Sequence, residues 1–155
     1  MTTEDRLAEF RACLALGHAK GLGPRGCKKL LDHYVTALAA MDDAANWPVH
    51  GLASQTVTRN FLQGQWREPA RKEFELTRKH GFKALVYASP DFPELLRHIP
   101  DPPLTLYALG DQNLVHRPCL AIVGSRSCSR YGMQACRDIA FDLSQAGLTV
   151  VSGFA

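Results

Sequence analysis

The sequence predicts an α/β protein in which a small helical bundle, residues 1–66, precedes a strand–helix–strand unit within residues 67–155. Residues 1–66 contain no convincing strand, whereas Leu120–Val123 and Leu148–Val151 are apolar runs typical of strands buried on both faces. Between these runs, an apolar set at i, i+3, i+4 and i+7 predicts a helix with one face directed at a sheet. That set comprises Cys136, Ile139, Ala140 and Leu143. The pattern therefore predicts two parallel strands joined by a right-handed crossover.

Capping signals mark the helices of the bundle. Thr2 and Asp5 have capping-box spacing ahead of a first helix. Thr36 predicts the start of a third helix, and Ser54 that of a later one. The predicted linker to the second domain lies near Gly64–Trp66.

The elements after the linker are a helix, two strands and a proline-rich stretch. Pro69 can open a helix that Gly81 closes. Strands are predicted at Phe82–Tyr87 and Leu104–Leu109, so that about four strands follow from residue 82 onward and belong to a parallel sheet. Five prolines between them hold residues 88–103 irregular, with at most one short helix around Glu94 to Arg97.

The stretch Lys20–Leu31 is the informative part of the bundle. Gly21 and Gly23 permit a tight turn, and Pro24 suits the first position of the next helix. The turn resembles the hairpin of helix-hairpin-helix domains, which present backbone N–H groups to DNA phosphate. A basic cluster surrounds it, formed by Lys20, Arg25, Lys28 and Lys29. The alternative is a helix–helix turn with solvated lysines in a protein-interaction module.

Composition and charge exclude several classes of protein. A hydrophobic fraction of 46% and a charged fraction of 21% are typical of a globular protein, and the formal net charge is +3. The sequence contains no 18-residue apolar stretch, and its first residues are charged where a signal peptide is apolar. We therefore expect a cytoplasmic protein that does not bind membranes.

Neither a metal site nor a catalytic site is indicated. The five cysteines form no CxxC pair, so we expect no metal and no disulfide framework. The six histidines have no nucleophile at a meaningful spacing, and no paired carboxylates suit acid–base catalysis. The sequence therefore predicts a protein that is not an enzyme and has no cofactor.

Residues 121–132 read AIVGSRSCSRYG, a strand that turns through a loop of small residues into a helix. The free N–H groups of such a loop and the positive end of the helix form an anion site. Arg126 within the loop favours phosphate as the anion. The loop lacks both the GxGxxG dinucleotide pattern and the Gly-Lys-Ser/Thr of a P-loop, and the alternative is a turn in which serine and arginine only cap the helix and pair at the surface.

This loop, the following VVSGFA at 150–155 and the lead-in DFPELLRHIPDPPLTLYALG at 91–110 resemble the bacterial DNA-processing protein A (DprA, Smf) family. The resemblance implies an extended Rossmann-like domain after a sterile-alpha-motif-like accessory domain. It also implies a homodimer that binds single-stranded DNA and loads the recombinase RecA during natural transformation. The implied phosphate-binding residues are Gly124, Ser125, Arg126, Ser129, Tyr131, Gly132, Ser152 and Gly153.

Two other functions are compatible with parts of the pattern. One is a Rossmann-like hydrolase that cleaves the N-glycosidic bond of nucleoside monophosphates, although its Pro-Gly-Gly-x-Gly-Thr segment does not occur in these residues. The other is a pure interaction module that docks a partner protein on the bundle. Because Ala155 directly follows the last predicted strand, we expect the Rossmann-like sheet to be incomplete and Leu148, Val150 and Val151 to be uncovered within this chain.

Overall fold

The computed structural model describes residues 2–153 as a mixed α/β protein that divides between Leu109 and Gly110 into two compact units. The first unit contains six helices and two strands among its described residues: α1 (Thr3–Gly17), α2 (Gly23–Tyr34), α3 (Ala37–Asp42), α4 (Gln55–Leu62), α5 (Arg67–Lys79), β1 (Lys83–Val86), α6 (Glu94–Arg97) and β2 (Thr105–Ala108). The second contains β3 (Cys119–Ala121), α7 (Arg130–Gln145) and β4 (Thr149–Val151). Short 3-10 helices lie at Ala44–Asn46 and Gln112–His116. Among the described residues, no helix is long and apolar enough to cross a membrane.

The predicted capping residues begin the helices of the first unit. Thr2 and Asp5 form the capping box of α1, in which each side chain accepts the backbone N–H of the other residue. Thr36 Oγ1 accepts the N–H of Ala39 at the start of α3, and Ser54 Oγ accepts that of Val57 at the start of α4. The helix starts predicted from these capping residues are therefore confirmed.

Helix α1 is the centre of the first unit and contacts α2, α3, α5, β1 and β2. Its residues Ala12, Ala15 and Leu16 are completely buried, as expected of a helix with neighbours on every side. Trp47 is completely buried as well, and its Nε1–H donates to the carbonyl of Ala40 at 2.8 Å. This hydrogen bond satisfies the one polar group of the largest side chain in the core.

The boundary between the compact units differs from the predicted linker near residues 64–66. Phe10 of α1 packs on Phe74 of α5, with ring centroids 5.7 Å apart, and on Tyr107 of β2 at 6.3 Å. Because α5, β1 and β2 complete the core around α1, residues 67–109 belong to the same compact unit as the bundle. Local composition marked a chain turn at Gly64, where φ is +74°, but not the long-range packing that follows it.

The strands form two separate sheets instead of the single parallel sheet that we expected. Strands β1 and β2 pair antiparallel, with Leu85 opposite Leu106. Strands β3 and β4 pair parallel, with Leu120 opposite Val150, and α7 between them lies against β4. The predicted strand–helix–strand unit is thus confirmed, and Gly147 ends its helix with a φ of +84°.

No residue of the second unit is buried among residues 110–153. Strand β3 is exposed along its length, contrary to the prediction of a strand buried on both faces, because none of the described residues of the second unit covers it as a core would. Cys136, predicted on the buried face of α7, is exposed for the same reason. Of the residues expected to be uncovered, Val151 is exposed while Leu148 and Val150 are half-buried.

Candidate nucleic-acid interface

The loop between β3 and α7 is shaped by two serine side chains. Ser125 Oγ accepts the backbone N–H of Ser127 at 3.1 Å and closes a local turn. Ser129, with an extended backbone, is the N-cap of α7, and its Oγ accepts the N–H of Gly132 at 3.1 Å. These bonds fix the local backbone of the loop at the positive end of a 16-residue helix.

A cleft of about 930 Å³ lies between this loop, the first turns of α7 and the segment after β4. Six of the eight residues assigned to phosphate binding line it: Gly124, Ser125, Arg126, Gly132, Ser152 and Gly153. The ends of two neighbouring parallel strands and the start of the intervening helix therefore meet at one surface, as the sequence pattern predicts.

Ser129 and Tyr131 do not line the cleft. The Ser129 hydroxyl caps α7, and the Tyr131 side chain is 83% exposed outside the cleft wall. At Gly132, the N–H that an anion would approach is already donated to Ser129. The direct contribution of these three residues to phosphate binding, like that of the other five, stays a prediction.

Arg137 is a residue of the cleft that sequence reasoning missed. It lines the same surface as Arg126, and both side chains are exposed. Among the described residues, neither guanidinium group takes part in an ion pair, and the nearby carboxylate of Asp138 accepts from Gln134 Nε2 at 2.8 Å. One feature of the sequence could have placed Arg137 in the cleft. Arg137 follows Met133 by one helical turn, so both lie on the face of α7 that begins at the loop.

The two glycines of the loop have free space beside their Cα atoms. A Cβ atom on Gly124 would meet no atom within 4 Å, and one on Gly132 would meet Cys128 Cβ and Ser129 Oγ only at 3.6 Å. Neither residue has a left-handed backbone. The protein alone therefore does not require glycine here, and the free space is available to a bound group.

The basic cluster of the first unit surrounds the turn before α2. Gly21 and Gly23 have φ values of +86° and +65°, which glycine adopts without strain, and Leu22 between them is buried. Lys28 forms an ion pair with Asp32, so that part of its charge is neutralised within α2. The other three members, Lys20, Arg25 and Lys29, are exposed.

A smaller cavity in the first unit, of about 260 Å³, contains a polar chain that the sequence did not indicate. His18 Nε2 lies 2.5 Å from Glu73 Oε2, and the Tyr107 hydroxyl donates to Glu73 Oε1. Desolvation and the Glu73 carboxylate raise the pKa of Tyr107, and burial raises the pKa of the neighbouring Cys13 thiol. Both groups are therefore held in their protonated forms, which is the opposite of an activated nucleophile.

The part of the chain that contains the cleft is similar to one family of known proteins. Residues 83–155 match the family model described as DNA recombination-mediator protein A. The protein Smf of Synechocystis is 33% identical over 153 residues, which cover 92% of this chain and 37% of that protein. The DNA processing protein DprA of Bacillus subtilis is 29% identical over 110 residues, covering 65% of this chain and 37% of that protein. The protein Smf of Borreliella burgdorferi is 32% identical over 73 residues, or 47% of this chain. The chain thus spans little more than a third of the length of the first two of these curated relatives.

Proposed function

The chain belongs to the DNA recombination-mediator protein A (DprA, Smf) family, and from that premise we propose that it binds single-stranded DNA and delivers it to RecA during natural transformation. The observation that carries the proposal is the cleft between β3, α7 and the end of β4. It joins two arginines, which have no ion-pair partner among residues 2–153, to a glycine-containing loop at a helix N-terminus. Each of these features binds phosphate, and none of them reads a base.

Binding of this kind is independent of sequence, as a protein that receives arbitrary incoming DNA requires. Guanidinium groups contact the phosphate backbone, whose charge supplies most of the affinity for single strands. Within residues 121–132 Tyr131 is the one aromatic residue, and its side chain is 83% exposed beside the N-cap. Base stacking is therefore a minor contribution next to phosphate contacts.

The proposal includes the finer architecture that the family implies. The second unit is the beginning of an extended Rossmann-like domain, and the helical part of the first unit is a sterile-alpha-motif-like, helix-hairpin-helix-like accessory domain. The Gly21-Leu22-Gly23 turn, with two left-handed glycines around a buried leucine, supports the hairpin assignment. The complete protein acts in the cytoplasm as a homodimer.

We further propose that the protein performs no chemistry of its own. The polar chain of Glu73, His18 and Tyr107 supports this view, since its phenol is held protonated and each carboxylate oxygen of Glu73 already has a partner. DNA binding and delivery then depend on equilibrium affinity and not on a covalent step.

The test compares single-arginine variants of the full-length protein in gel-shift titrations with an unstructured oligonucleotide. Arg126→Ala removes a charge-assisted hydrogen bond and is expected to cost about 1.5–3 kcal/mol of binding free energy. Arg137→Ala is expected to weaken binding by the same mechanism. Arg130→Ala is the matched control, because Arg130 is on the same helix but does not line the cleft.

Two results would contradict the proposal. One is an unchanged affinity of folded Arg126→Ala, with folding verified by circular dichroism; the other is an equal loss in Arg130→Ala. Delivery is measured separately, as the rate at which RecA begins ATP hydrolysis on the bound oligonucleotide. We expect Arg126→Ala to lower that rate in proportion to its lost affinity.

A further inference from the structure

The cavity of about 260 Å³ in the first unit lies beside the polar chain of His18, Glu73 and Tyr107. Its lining residues come from α1, the start of α2, α5, and β2 with the segment that leads into it. All of these elements belong to the first unit, so one compact unit forms the cavity by itself. An apolar cavity of about 150 Å³ can hold benzene, so this one has room for a ligand with one aromatic ring.

The interior of the cavity is apolar. Its walls include Leu14, Pro102 and Leu104, all of which are buried in the first unit. Cys13 and Cys27 also line it, and burial raises the pKa of both thiols, that of Cys27 to about 11. A protonated, buried cysteine behaves as a small hydrophobic residue, so the interior favours an apolar group.

The polar chain gives one side of the cavity a negative charge. The side chains of His18, Glu73 and Tyr107 are all partly exposed, so a ligand can reach them from solvent. Glu73 is the one acidic residue of the lining, and no lysine or arginine among residues 2–153 contributes to it. The lining therefore favours a cationic ligand over an anionic one.

Glu73 can accept further hydrogen bonds on both oxygens. His18 Nε2 lies 2.5 Å from Oε2, and the Tyr107 hydroxyl donates to Oε1. Because a carboxylate has about four acceptor sites, each oxygen can accept one bond more. A planar head group with two parallel N–H donors, such as an amidinium or a guanidinium, matches both this capacity and the charge.

We propose that this cavity binds a small organic cation, with an amidinium or guanidinium head group on an apolar body of one ring, and that Glu73 receives the head group. The apolar body occupies the interior between Leu14 and Leu104. The site belongs to a different unit from the arginine cleft, whose charge attracts anions, and its occupation requires no DNA. The inference therefore goes beyond the proposed function and does not depend on it.

The experiment titrates the 155-residue chain with three probes of nearly the same shape. Benzamidine is cationic, benzamide is neutral and benzoate is anionic. Binding is followed through the backbone amide resonances of isotope-labelled protein, since Gly17 and Gly23 line the cavity whereas Gly51 and Gly81 do not.

Benzamidine is expected to shift the Gly17 and Gly23 resonances to saturation and to leave those of Gly51 and Gly81 in place. Benzamide should bind about tenfold or more weakly, because it lacks the charge that strengthens the bonds to Glu73. Benzoate should show no saturable binding, since its carboxylate is repelled by that of Glu73.

Two variants separate the role of the charge from that of the cavity. Glu73→Gln keeps the shape of the side chain and removes its charge, so the preference for benzamidine over benzamide should disappear. Gly17→Val extends a side chain towards Leu104, which an added Cβ would meet at 4.0 Å, and should abolish the binding of both probes. Glu75→Gln is the matched control, because Glu75 is an exposed acidic residue of α5 that does not line the cavity, and it should change the affinity little.

The amide resonances of residues remote from the cavity verify that each variant is folded. The proposal would be overturned by any of four results: no saturable binding of benzamidine, benzoate binding as tight as that of benzamidine, saturable shifts confined to residues outside the cavity, or an undiminished preference in folded Glu73→Gln. If Glu73→Gln does not fold, the three probes on the parent chain and Gly17→Val still decide the question.

Discussion

Within the loop, two serines organise the backbone while the arginines remain free to bind. Ser125 and Ser129 use their oxygens to accept the N–H groups of Ser127 and Gly132. The Ser129 bond is a helix N-cap, an interaction that stabilises a helix end by about 0.5–2 kcal/mol. The loop is therefore preorganised before a ligand arrives, and the guanidinium groups of Arg126 and Arg137 are the strongest remaining donors of the cleft.

Gly124 is the position where cleft geometry predicts a purely functional loss. Since a Cβ there meets no protein atom within 4 Å, we expect Gly124→Val to fold normally but to place its side chain where phosphate approaches. The expected result is loss of oligonucleotide binding in gel shifts, with an unchanged circular dichroism spectrum.

Gly17→Ala is the control for this substitution, because its added Cβ makes only a 4.0 Å contact, with Leu104 in the first unit. Loss of secondary structure in Gly124→Val would instead show that the glycine is required for folding. Retained binding would show that phosphate does not approach the backbone at this point.

At the scale of elements, a buried carboxylate joins two helices of the first unit. Glu9 on α1 is 3% exposed, and its two oxygens accept the N–H groups of Ala37 and Leu38 at 2.7 and 2.9 Å. These N–H groups belong to the first turn of α3, which has no intrahelical partners for them. An acidic side chain from another helix thus caps a helix of only six residues.

Replacing Glu9 with Gln leaves one buried N–H without its acceptor and removes the charge from the other bond. We expect the free energy of unfolding to fall by about 1–3 kcal/mol in urea titrations followed by circular dichroism. Glu4→Gln, an exposed change in the first turn of the same helix, should cost less than about 1 kcal/mol. Equal effects of the two variants would contradict the capping role.

The basic cluster at the start of α2 is expected to act only through screened charge. Neutralising Lys20, Lys28 and Lys29 to Gln should weaken oligonucleotide binding at low salt and have little effect at high salt, because exposed charges more than about 10 Å apart are screened at 0.1 M. Lys28→Gln alone should have the smallest effect, since Lys28 already pairs with Asp32.

Lys79 is an exposed lysine on α5. The control variant Lys79→Gln measures the effect of removing one positive charge elsewhere in the same unit. A loss in the triple variant that persists undiminished at high salt would indicate a structured DNA site in the helical bundle. Gel shifts over a salt series distinguish these results.

For the whole molecule, patterns of short range were predictable and pairings of long range were not. The caps at Thr36 and Ser54 and the helix stop at Gly147 are set by residues close in sequence, so the chain itself indicates them. The division at Leu109 depends on how Phe10 packs against Tyr107, which are distant in sequence. The periodicity of apolar residues contains no such information. It also predicted a buried helix face at Cys136, next to Arg137, where the structure has an exposed side chain.

Several carboxylates of the fold make stability depend on pH. The Arg6 guanidinium, 2.9 Å from Asp91, lowers the pKa of that carboxyl below its ordinary value of 3.8, and hydrogen bonds from Tyr34 and Asn46 lower the pKa of Asp43. A group whose pKa is lower in the folded state stabilises the fold fully above its unfolded pKa, and this contribution is lost as pH falls through its folded pKa. The free energy of unfolding should therefore decrease as pH falls below about 4.

Asp91→Asn should flatten this pH dependence, whereas Asp101→Asn, an exposed aspartate without an ion pair among residues 2–153, should not. Urea titrations at a series of pH values provide the measurement. A steeper decrease in Asp91→Asn than in the parent protein would show that the sign of the contribution is reversed.

The burial of Trp47 determines what intrinsic tryptophan fluorescence can measure in this protein. Trp47 and Trp66 are the two tryptophans of the sequence, and both lie in the first unit, where Trp66 stacks on Phe61 at 5.4 Å. The unit with the cleft therefore contains no indole chromophore. Intrinsic fluorescence will record the melting of the core around α1, and a DNA titration followed that way needs a probe of its own, for which Tyr131→Trp at the exposed edge of the loop is the natural position.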